Sequence, residues 1–108
     1  MARLTTEFWI SAYRARLDLA SIPAFVVHKG DVTAGAILIK VNTLDGQAQL
    51  FQRSLTLEGQ STWFVLSQGA ETEVDQSILK QRQFDPDLWV IELESKEGRH
   101  LLDEEGLE

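Results

Sequence analysis

The N-terminal part of the chain carries apolar side chains with the spacing of an α-helix. Five positions fall at i, i+3, i+4, i+8 and i+11, which places them on one helical face: Trp9, Ala12, Tyr13, Leu17 and Ala20. Glu7 suits the first turn, where the helix dipole is positive. Pro23 ends the pattern, because proline disfavours a helical conformation in the residue before it. The spacing therefore predicts a helix from about residue 6 to residue 20.

The middle of the chain has the composition of β-strands separated by turns. Val, Ile, Phe and Leu are concentrated in four segments, at residues 24–29, 35–43, 47–55 and 62–67. Asp45-Gly46 predicts a two-residue hairpin loop between the second and third segments. The second segment is apolar on both faces from residue 36 to residue 41, which predicts a central strand covered on both sides. The third is more polar and is expected nearer an edge or on a solvated face.

The C-terminal part predicts a second helix and a fifth strand. Glu71 or Thr72 begins the helix, which has few apolar residues and is therefore expected to lie on the surface. Asp85-Pro86-Asp87 ends it in a turn. Residues 88–94 then alternate between apolar and polar side chains, as a strand with one buried face does.

This order of elements predicts an α+β fold. The expected architecture is an N-terminal helix, a four-strand antiparallel meander, a second helix and a fifth strand in one mixed or antiparallel sheet. The pairing position of the fifth strand is left open. Residues 1–106 are expected to form a single domain. Leu107-Glu108 matches the dipeptide that a common cloning site leaves before an affinity tag, and is interpreted as a cloning remnant.

Composition excludes several classes of protein. The chain has 108 residues, no cysteine and a formal charge of −7. Without cysteine there is no disulfide framework, thiolate metal site or cysteine nucleophile. No apolar run approaches the roughly 20 residues that cross a bilayer, so no membrane partner is expected. The N-terminus lacks the apolar stretch of a signal peptide, which predicts a cytoplasmic location.

The charge is distributed unevenly along the chain. Residues 1–54 have a balance of +2, whereas residues 55–108 have a balance of −9. The acidic half is interpreted either as a surface that keeps the domain soluble or as a docking surface for a basic partner. Nucleic acid is not expected as a partner, because a strongly acidic half repels phosphates.

Three stretches of the chain share a recognisable pattern. They are TEFW at residues 6–9, KGD at 29–31 followed by AGAI at 34–37 and KV at 40–41, and DPDLWVIE at 85–92 followed by Gly98-Arg99. As a set, they resemble a small bacterial family of about this length that is known only as a domain of unknown function. The resemblance covers nearly the whole chain. It implies one compact domain and brings no reaction, cofactor or catalytic residue.

A search for catalytic chemistry yields no assigned residue. His28 and His100 each lack a second ligand at metal spacing, so no metal site is predicted. The glycines do not form a phosphate-binding loop, and no cofactor is expected. Glu92 and Glu94 lie about 7 Å apart on one strand face, and this face is interpreted as solvated. A triad assembled across the fold stays open.

Three tryptophans, Trp9, Trp63 and Trp89, each lie on an apolar face. Large aromatic side chains can line a ligand pocket or anchor an interface, but they also fill cores. Here the interpretation is a core position for each, because each belongs to a periodic apolar pattern.

The pattern favours a non-enzymatic protein-interaction domain. Two helices are a thin cover for two apolar sheet faces, and uncovered apolar surface usually marks an interface, which predicts a homodimer or a protein partner. Arg99 and His100, beside Gly98 in an acidic stretch, are the predicted contact residues. The alternative is a small enzyme or small-molecule-binding protein with a pocket between helix one and the sheet. The sequence identifies no ligand for such a pocket.

Overall fold

Two helices and five strands follow one another in the predicted order. The computed structural model describes residues 5–55, 61–104 and 107. The elements are α1 (Thr6–Leu19), β1 (Ala24–His28), β2 (Ile37–Asn42), β3 (Gln47–Leu55), β4 (Ser61–Ala70), α2 (Glu71–Phe84) and β5 (Trp89–Glu94). The α+β class is confirmed. Neither described helix is long and apolar enough to cross a membrane.

The strands form one mixed sheet in the order β1-β5-β2-β3-β4. Strands β2, β3 and β4 make an antiparallel meander. Strand β5 enters between β1 and β2, antiparallel to the first and parallel to the second. The predicted meander therefore differs at its first strand, because β1 and β2 are not neighbours. The connection from β1 to β2 passes the position that β5 occupies between them. The chain returns from β4 through α2, which crosses one face of the sheet, and β5 then runs parallel to β2.

One face of the sheet is covered by α1 and by the C-terminal segment. Tyr13 and Leu17 from α1 pack with Ile39 of β2 and Ile91 of β5. The Tyr13 hydroxyl donates a hydrogen bond of 2.8 Å to the His100 carbonyl oxygen, which ties α1 to the C-terminal segment. The apolar positions with helical spacing are thus the positions that cover the sheet.

The other face of the sheet is covered by α2. Val74 and Ile78 are the buried residues of this helix, and they pack with Leu38, Leu50 and Val90. Strand β2 is consequently buried from Ile37 to Val41, which confirms its prediction as the central strand. Because one helix lies on each face, β2 has no exposed apolar side chain. The large apolar side chains that remain exposed lie on the edge strands, on the two helices and in loops.

The tryptophans are structural, as expected. Trp9 of α1 and Trp89 of β5 are buried in the core between α1 and the sheet, and Trp63 of β4 is half-buried against it. The Arg53 guanidinium lies 5.2 Å from the Trp9 ring centroid and 5.6 Å from that of Trp63, a cation–π arrangement. The Trp63 Nε1–H donates to the Leu107 carbonyl oxygen at 2.8 Å. The Leu107 side chain is also buried in this core. The origin of the Leu107-Glu108 dipeptide stays a prediction.

The loop between β2 and β3 differs from the predicted two-residue turn. Leu44 (φ 64°) and Gly46 (φ 84°) have positive φ, and the Thr43 N–H donates to the Gln47 carbonyl oxygen at 3.2 Å, which closes a three-residue loop. The Asp45 carboxylate accepts from the Gln47 N–H at 3.1 Å. This side-chain bond stabilises the longer loop, so the expectation of two residues was wrong.

The connection from β1 to β2 lies against the turn that precedes β5. A Cβ atom on Gly30 would overlap the Asp87 carbonyl oxygen, and one on Gly35 would lie 2.7 Å from the same atom. The Asp31 N–H donates to that oxygen at 2.8 Å, and the Asp31 carbonyl oxygen accepts from Trp89 Nε1–H at 2.8 Å. Glycine is required here because two backbones touch.

We expect Gly30→Ala to lower the free energy of unfolding by about 1–3 kcal/mol or more, because the added methyl group must push the 85–88 turn away from the loop. Urea unfolding followed by tryptophan fluorescence measures this loss. Gly46→Asn is the matched control, since nothing lies within 4 Å of a Cβ there and asparagine tolerates positive φ. Equal unfolding midpoints for the two variants would contradict the packing argument.

Candidate interaction surface

Among the residues that the structure describes as buried, Lys40 is the charged one. Lys40 of β2 is 3% exposed and points to the α2 side of the sheet. Its Nζ lies 2.7 Å from Glu71 Oε2, 2.7 Å from Asp75 Oδ1 and 3.4 Å from Glu92 Oε1. Asn42 Nδ2 donates to Glu71 and Glu92 at 3.1 and 3.3 Å. These five residues, called the Lys40 cluster below, join β2, β5 and α2.

The Lys40 ammonium is held in its charged form. Burial lowers the pKa of Lys40, but hydrogen bonds to Asp75 and Glu71 and the negative charge of Glu92 outweigh burial and raise it above the ordinary value. A lysine that stays protonated is neither a general base nor a nucleophile. The cluster therefore acts as a structural tie between the first turns of α2 and the sheet.

Sequence reasoning missed this cluster. The sequence analysis described residues 36–41, which include Lys40, as apolar on both faces and assigned no partner to this lysine. It interpreted Glu92 as part of a solvated face. That interpretation was wrong for Glu92, which is only partly exposed and is paired with Lys40. The available signal was a lone lysine inside an otherwise apolar strand, because such a charge requires a partner in the fold.

The predicted contact residues occupy different environments. The side chain of Arg99 is exposed, and its backbone N–H donates to Ser95 Oγ at 2.9 Å. His100 is half-buried, with its ring centroid 4.6 Å from that of Phe51. His100 Nδ1 accepts a hydrogen bond from the Leu102 N–H at 3.0 Å. Arg99 is thus available to a partner, whereas His100 is engaged inside the fold. Their role as contact residues stays a prediction.

Histidine and carboxylate side chains do not converge on a metal-binding geometry. Within residues 5–55, 61–104 and 107, no group of three or more such side chains could hold a metal ion. His28 Nδ1 lies 2.8 Å from the Leu88 carbonyl oxygen, which orients the imidazole toward the backbone of the 85–88 turn. The turn itself is closed by the Asp87 N–H, which donates to the Asp85 carboxylate at 3.1 Å, as the sequence predicted for Asp85-Pro86-Asp87.

An open groove separates α1 from the start of β1. Exposed residues of α1 form one wall, and the chain from Ile22 to Phe25 forms the other. The charged residues of this groove are Arg14 and Asp18, which the structure does not join in an ion pair. The groove lies where the alternative prediction expected a pocket, between helix one and the sheet. Its open shape and single pair of charges describe a surface depression rather than an enclosed site.

The two edge strands expose apolar side chains. On β1, Phe25 is 51% exposed, and Val26 and Val27 are also exposed. On β4, Phe64 is 41% and Val65 is 43% exposed. Neither strand contains Asp, Glu, Lys or Arg. Edge strands in soluble proteins commonly carry charges that prevent pairing with another chain, so two uncharged edges are an unusual feature.

Comparison with known proteins places the chain in a family. The family model described as "protein of unknown function (DUF1491)" matches residues 4–103. The chain belongs to the DUF1491 family. The sequence-based recognition of a domain of unknown function is thereby confirmed.

Solved structures of similar proteins have the same fold. The chain is 35% identical to a DUF1491 protein from Caulobacter crescentus CB15 solved by crystallography, with a TM-score of 0.86, covering 94% of this chain and 96% of that one. A solution structure of a DUF1491 protein from the same source gives 34% identity and a TM-score of 0.82 over 95% and 96%. Protein Atu0922 from A. tumefaciens gives 27% identity and a TM-score of 0.74 over 87% of each chain. No curated protein matches.

Three of the motifs that carried the family resemblance, at residues 6–9, 29–37 and 85–92, contact one another in this fold. Thr6 Oγ1 donates to the Gly35 carbonyl oxygen at 2.9 Å, which joins the start of α1 to the loop before β2. The same loop contacts Asp87 and Trp89. These motifs therefore fix the junction of α1, β2 and β5 by side-chain and backbone hydrogen bonds.

We expect Lys40→Met to lower the free energy of unfolding at pH 7 by about 2 kcal/mol. Breaking a fully buried ion pair costs about 3–5 kcal/mol, and breaking an exposed pair costs about 1 kcal/mol or less. The expected loss lies between these values because the carboxylates that pair with Lys40 are partly hydrated. The raised pKa of Lys40 makes this stabilisation complete below the ordinary lysine pKa of about 10.5. Above it, the unfolded chain releases the proton first, so the stabilisation declines as pH rises.

Urea unfolding of wild type and Lys40→Met at several pH values from neutral to alkaline measures this difference. Lys80→Met, at an exposed position of α2, is the matched control and is expected to change stability little. A gap between wild type and Lys40→Met that stays constant at alkaline pH would rule out the pairing as its cause.

We expect His100 to destabilise the protein in acid. Burial lowers the pKa of His100, with a smaller opposing effect of Asp103. Protonation of Nδ1 would also break its bond from Leu102 N–H. The stabilisation is complete above the ordinary histidine pKa of about 6.5 and is lost as pH falls through the lower folded-state value. His100→Asn keeps an acceptor but does not titrate, so its unfolding midpoint should fall less than that of wild type between neutral and mildly acidic pH.

Proposed function

We propose that this DUF1491 protein is a small non-enzymatic interaction domain of the cytoplasm that self-associates. The observation that carries the proposal is the pair of uncharged sheet edges, each with exposed apolar side chains. An edge strand presents unpaired N–H and C=O groups, and exposed apolar residues beside them add surface that association removes from water. A second copy of the chain has the same edge strands. Its unpaired N–H and C=O groups and its exposed apolar side chains can therefore pair with those of the first copy.

The distribution of charge supports contact at an edge. The chain carries a net charge of −7, so copies meeting through their acidic surfaces would repel each other. Strands β1 and β4 avoid this cost because neither contains a charged residue. Two of the carboxylates closest to β4 in sequence, Glu71 and Asp75, are paired with Lys40.

The use of the buried titratable groups also supports a non-enzymatic role. Catalytic acids and bases commonly have pKa values displaced toward neutrality in a cleft. Lys40 has its pKa displaced away from neutrality and is enclosed by carboxylates. His100 accepts a backbone hydrogen bond and packs on Phe51. Both groups serve the packing of the fold.

Light scattering coupled to size-exclusion chromatography tests the proposal. We expect a mass of twice the 12.2 kDa of one chain as the concentration rises through the micromolar range. Moderate salt should leave the dimer intact or strengthen it, because salt screens repulsion between acidic copies and does not weaken apolar contact. A dimer that dissociates in moderate salt would indicate association by charge, and would contradict association through an uncharged edge.

A monomer at every concentration would overturn self-association. It would favour the alternative function, a small-molecule-binding protein that uses the groove between α1 and β1. Arg14 and Asp18, on one wall of that groove, are the residues whose substitution would then be expected to alter ligand binding. A thermal-shift screen with charged metabolites, run on wild type and on Arg14→Ala, distinguishes this function from self-association.

A further inference from the structure

We propose that two copies of the chain join by antiparallel pairing of β4 with β4 of the second copy, which extends the five strands of each sheet into one continuous sheet. This inference rests on the proposed self-association and specifies its interface. The surface consists of the outer edge of β4 with Phe64 and Val65, one on each face of the sheet.

Strand length distinguishes β4 from the other edge. Strand β4 has ten residues and β1 has five. Pairing along β4 can therefore form about twice as many backbone hydrogen bonds as pairing along β1. Among the described residues, β3 is the only strand that pairs with β4, so its other side is an edge.

Strand β1 also carries features that oppose pairing. Pro23, which has no N–H to donate, directly precedes it, and the register shifts between Val26 and His28. Short length, proline and irregular register are devices by which edge strands avoid association. Strand β4 has one irregularity, opposite Leu50 and Phe51, but no proline and no charge over its length. Of the two uncharged edges, β4 is therefore the longer one and the one with no proline directly before it.

Two-fold symmetry places the apolar residues of β4 at the centre of the pairing. In an antiparallel pair, directly opposed residues share a face of the sheet. An axis perpendicular to the sheet at Phe64 sets Phe64 against its own copy and Trp63 against Val65 of the other copy. An axis at Val65 sets Val65 against its own copy. Either register removes exposed aromatic and β-branched side chains from water, and such cross-strand pairs are favourable.

The same symmetry separates the acidic residue that directly follows β4. Glu71 follows β4 directly and is already paired with Lys40. Because paired strands run in opposite directions, the two Glu71 positions lie at opposite ends of the interface, about 40 Å apart along the strand direction. A chain with a net charge of −7 can therefore pair at β4 without bringing these carboxylates together.

Single-cysteine cross-linking tests this geometry directly. The chain has no cysteine, so one introduced thiol can form only an intermolecular disulfide. A residue on the two-fold axis lies about 4.5–5.5 Å from its own copy, within disulfide range. We expect Phe64→Cys or Val65→Cys to give covalent dimers rapidly under mild oxidation. Gln68→Cys lies on the same strand but at least about 20 Å from its copy, so it should not cross-link.

Phe25→Cys is the matched control on the other edge, at 51% exposure against 41% for Phe64. Cross-linking at Phe25 with none on β4 would overturn the β4 interface and retain self-association. Equal cross-linking at all positions would indicate random collision and would also overturn the interface. A wild-type dimer by light scattering that cross-links at no β4 position would overturn it as well. A wild-type monomer would overturn both proposals.

A charge substitution provides a second, independent measurement. Lysine on an edge strand opposes pairing with another chain. We expect Phe64→Lys to be a monomer by light scattering, with far-ultraviolet circular dichroism like that of wild type. Phe25→Lys should remain a dimer. A folded Phe64→Lys variant that dimerises as strongly as wild type would overturn the proposal.

Discussion

Strand β2 lies at the centre of the sheet and is buried from Ile37 to Val41, so both of its faces must be covered. The two helices meet this requirement from opposite sides. Helix α1 covers Ile37, Ile39 and Val41, and α2 covers Leu38. The parallel strand β5 follows β2 residue by residue, with Ile39 beside Ile91, and so presents the same alternation to both helices. The arrangement of the other elements follows from burying this one strand.

Burial of β2 also determines the role of Lys40. An unpaired ammonium at 3% exposure would be strongly unfavourable, so the side chain requires partners on the same face. Glu92 comes from the neighbouring parallel strand, where it is in register with Lys40, and Glu71 and Asp75 come from the first turns of α2. The cluster therefore fixes where α2 begins relative to β2 and β5. An ion pair in this position orients an element as well as contributing to stability.

The two helices that cover the faces leave the edges of the sheet exposed. Strand β1 is short, directly follows Pro23 and has an irregular register, whereas β4 is twice as long, with one irregularity in its register and no charged residue. This asymmetry supports one interface per chain, which closes on itself with two-fold symmetry, rather than two different edges that would join into an open chain of copies. The proposed function thus depends on the edge positions of strands whose faces are otherwise occupied.

Local sequence patterns predicted most of the elements. The helical spacing from Trp9 to Leu17, the turn at Asp85-Pro86-Asp87 and the apolar run of β2 each depend on neighbours within a few residues, so they are visible in the chain itself. The predicted helix end at residue 20 lies one residue beyond Leu19, where the structure ends α1. The family resemblance is likewise carried by short motifs, although their contacts at Gly30 and Asp87 are not apparent from spacing alone.

The tertiary structure decided the pairing of β5, the partners of Lys40 and the internal role of His100. Lys40 and Glu92 are 52 residues apart in sequence, and His100 meets Phe51 from a similar distance. No local preference encodes such contacts, because they form only when α2 carries the chain across the sheet and β5 enters between β1 and β2. The sequence by itself determined which segments form helices and strands. Their order in space, and with it the edges left exposed, depended on how both faces of β2 could be buried at once.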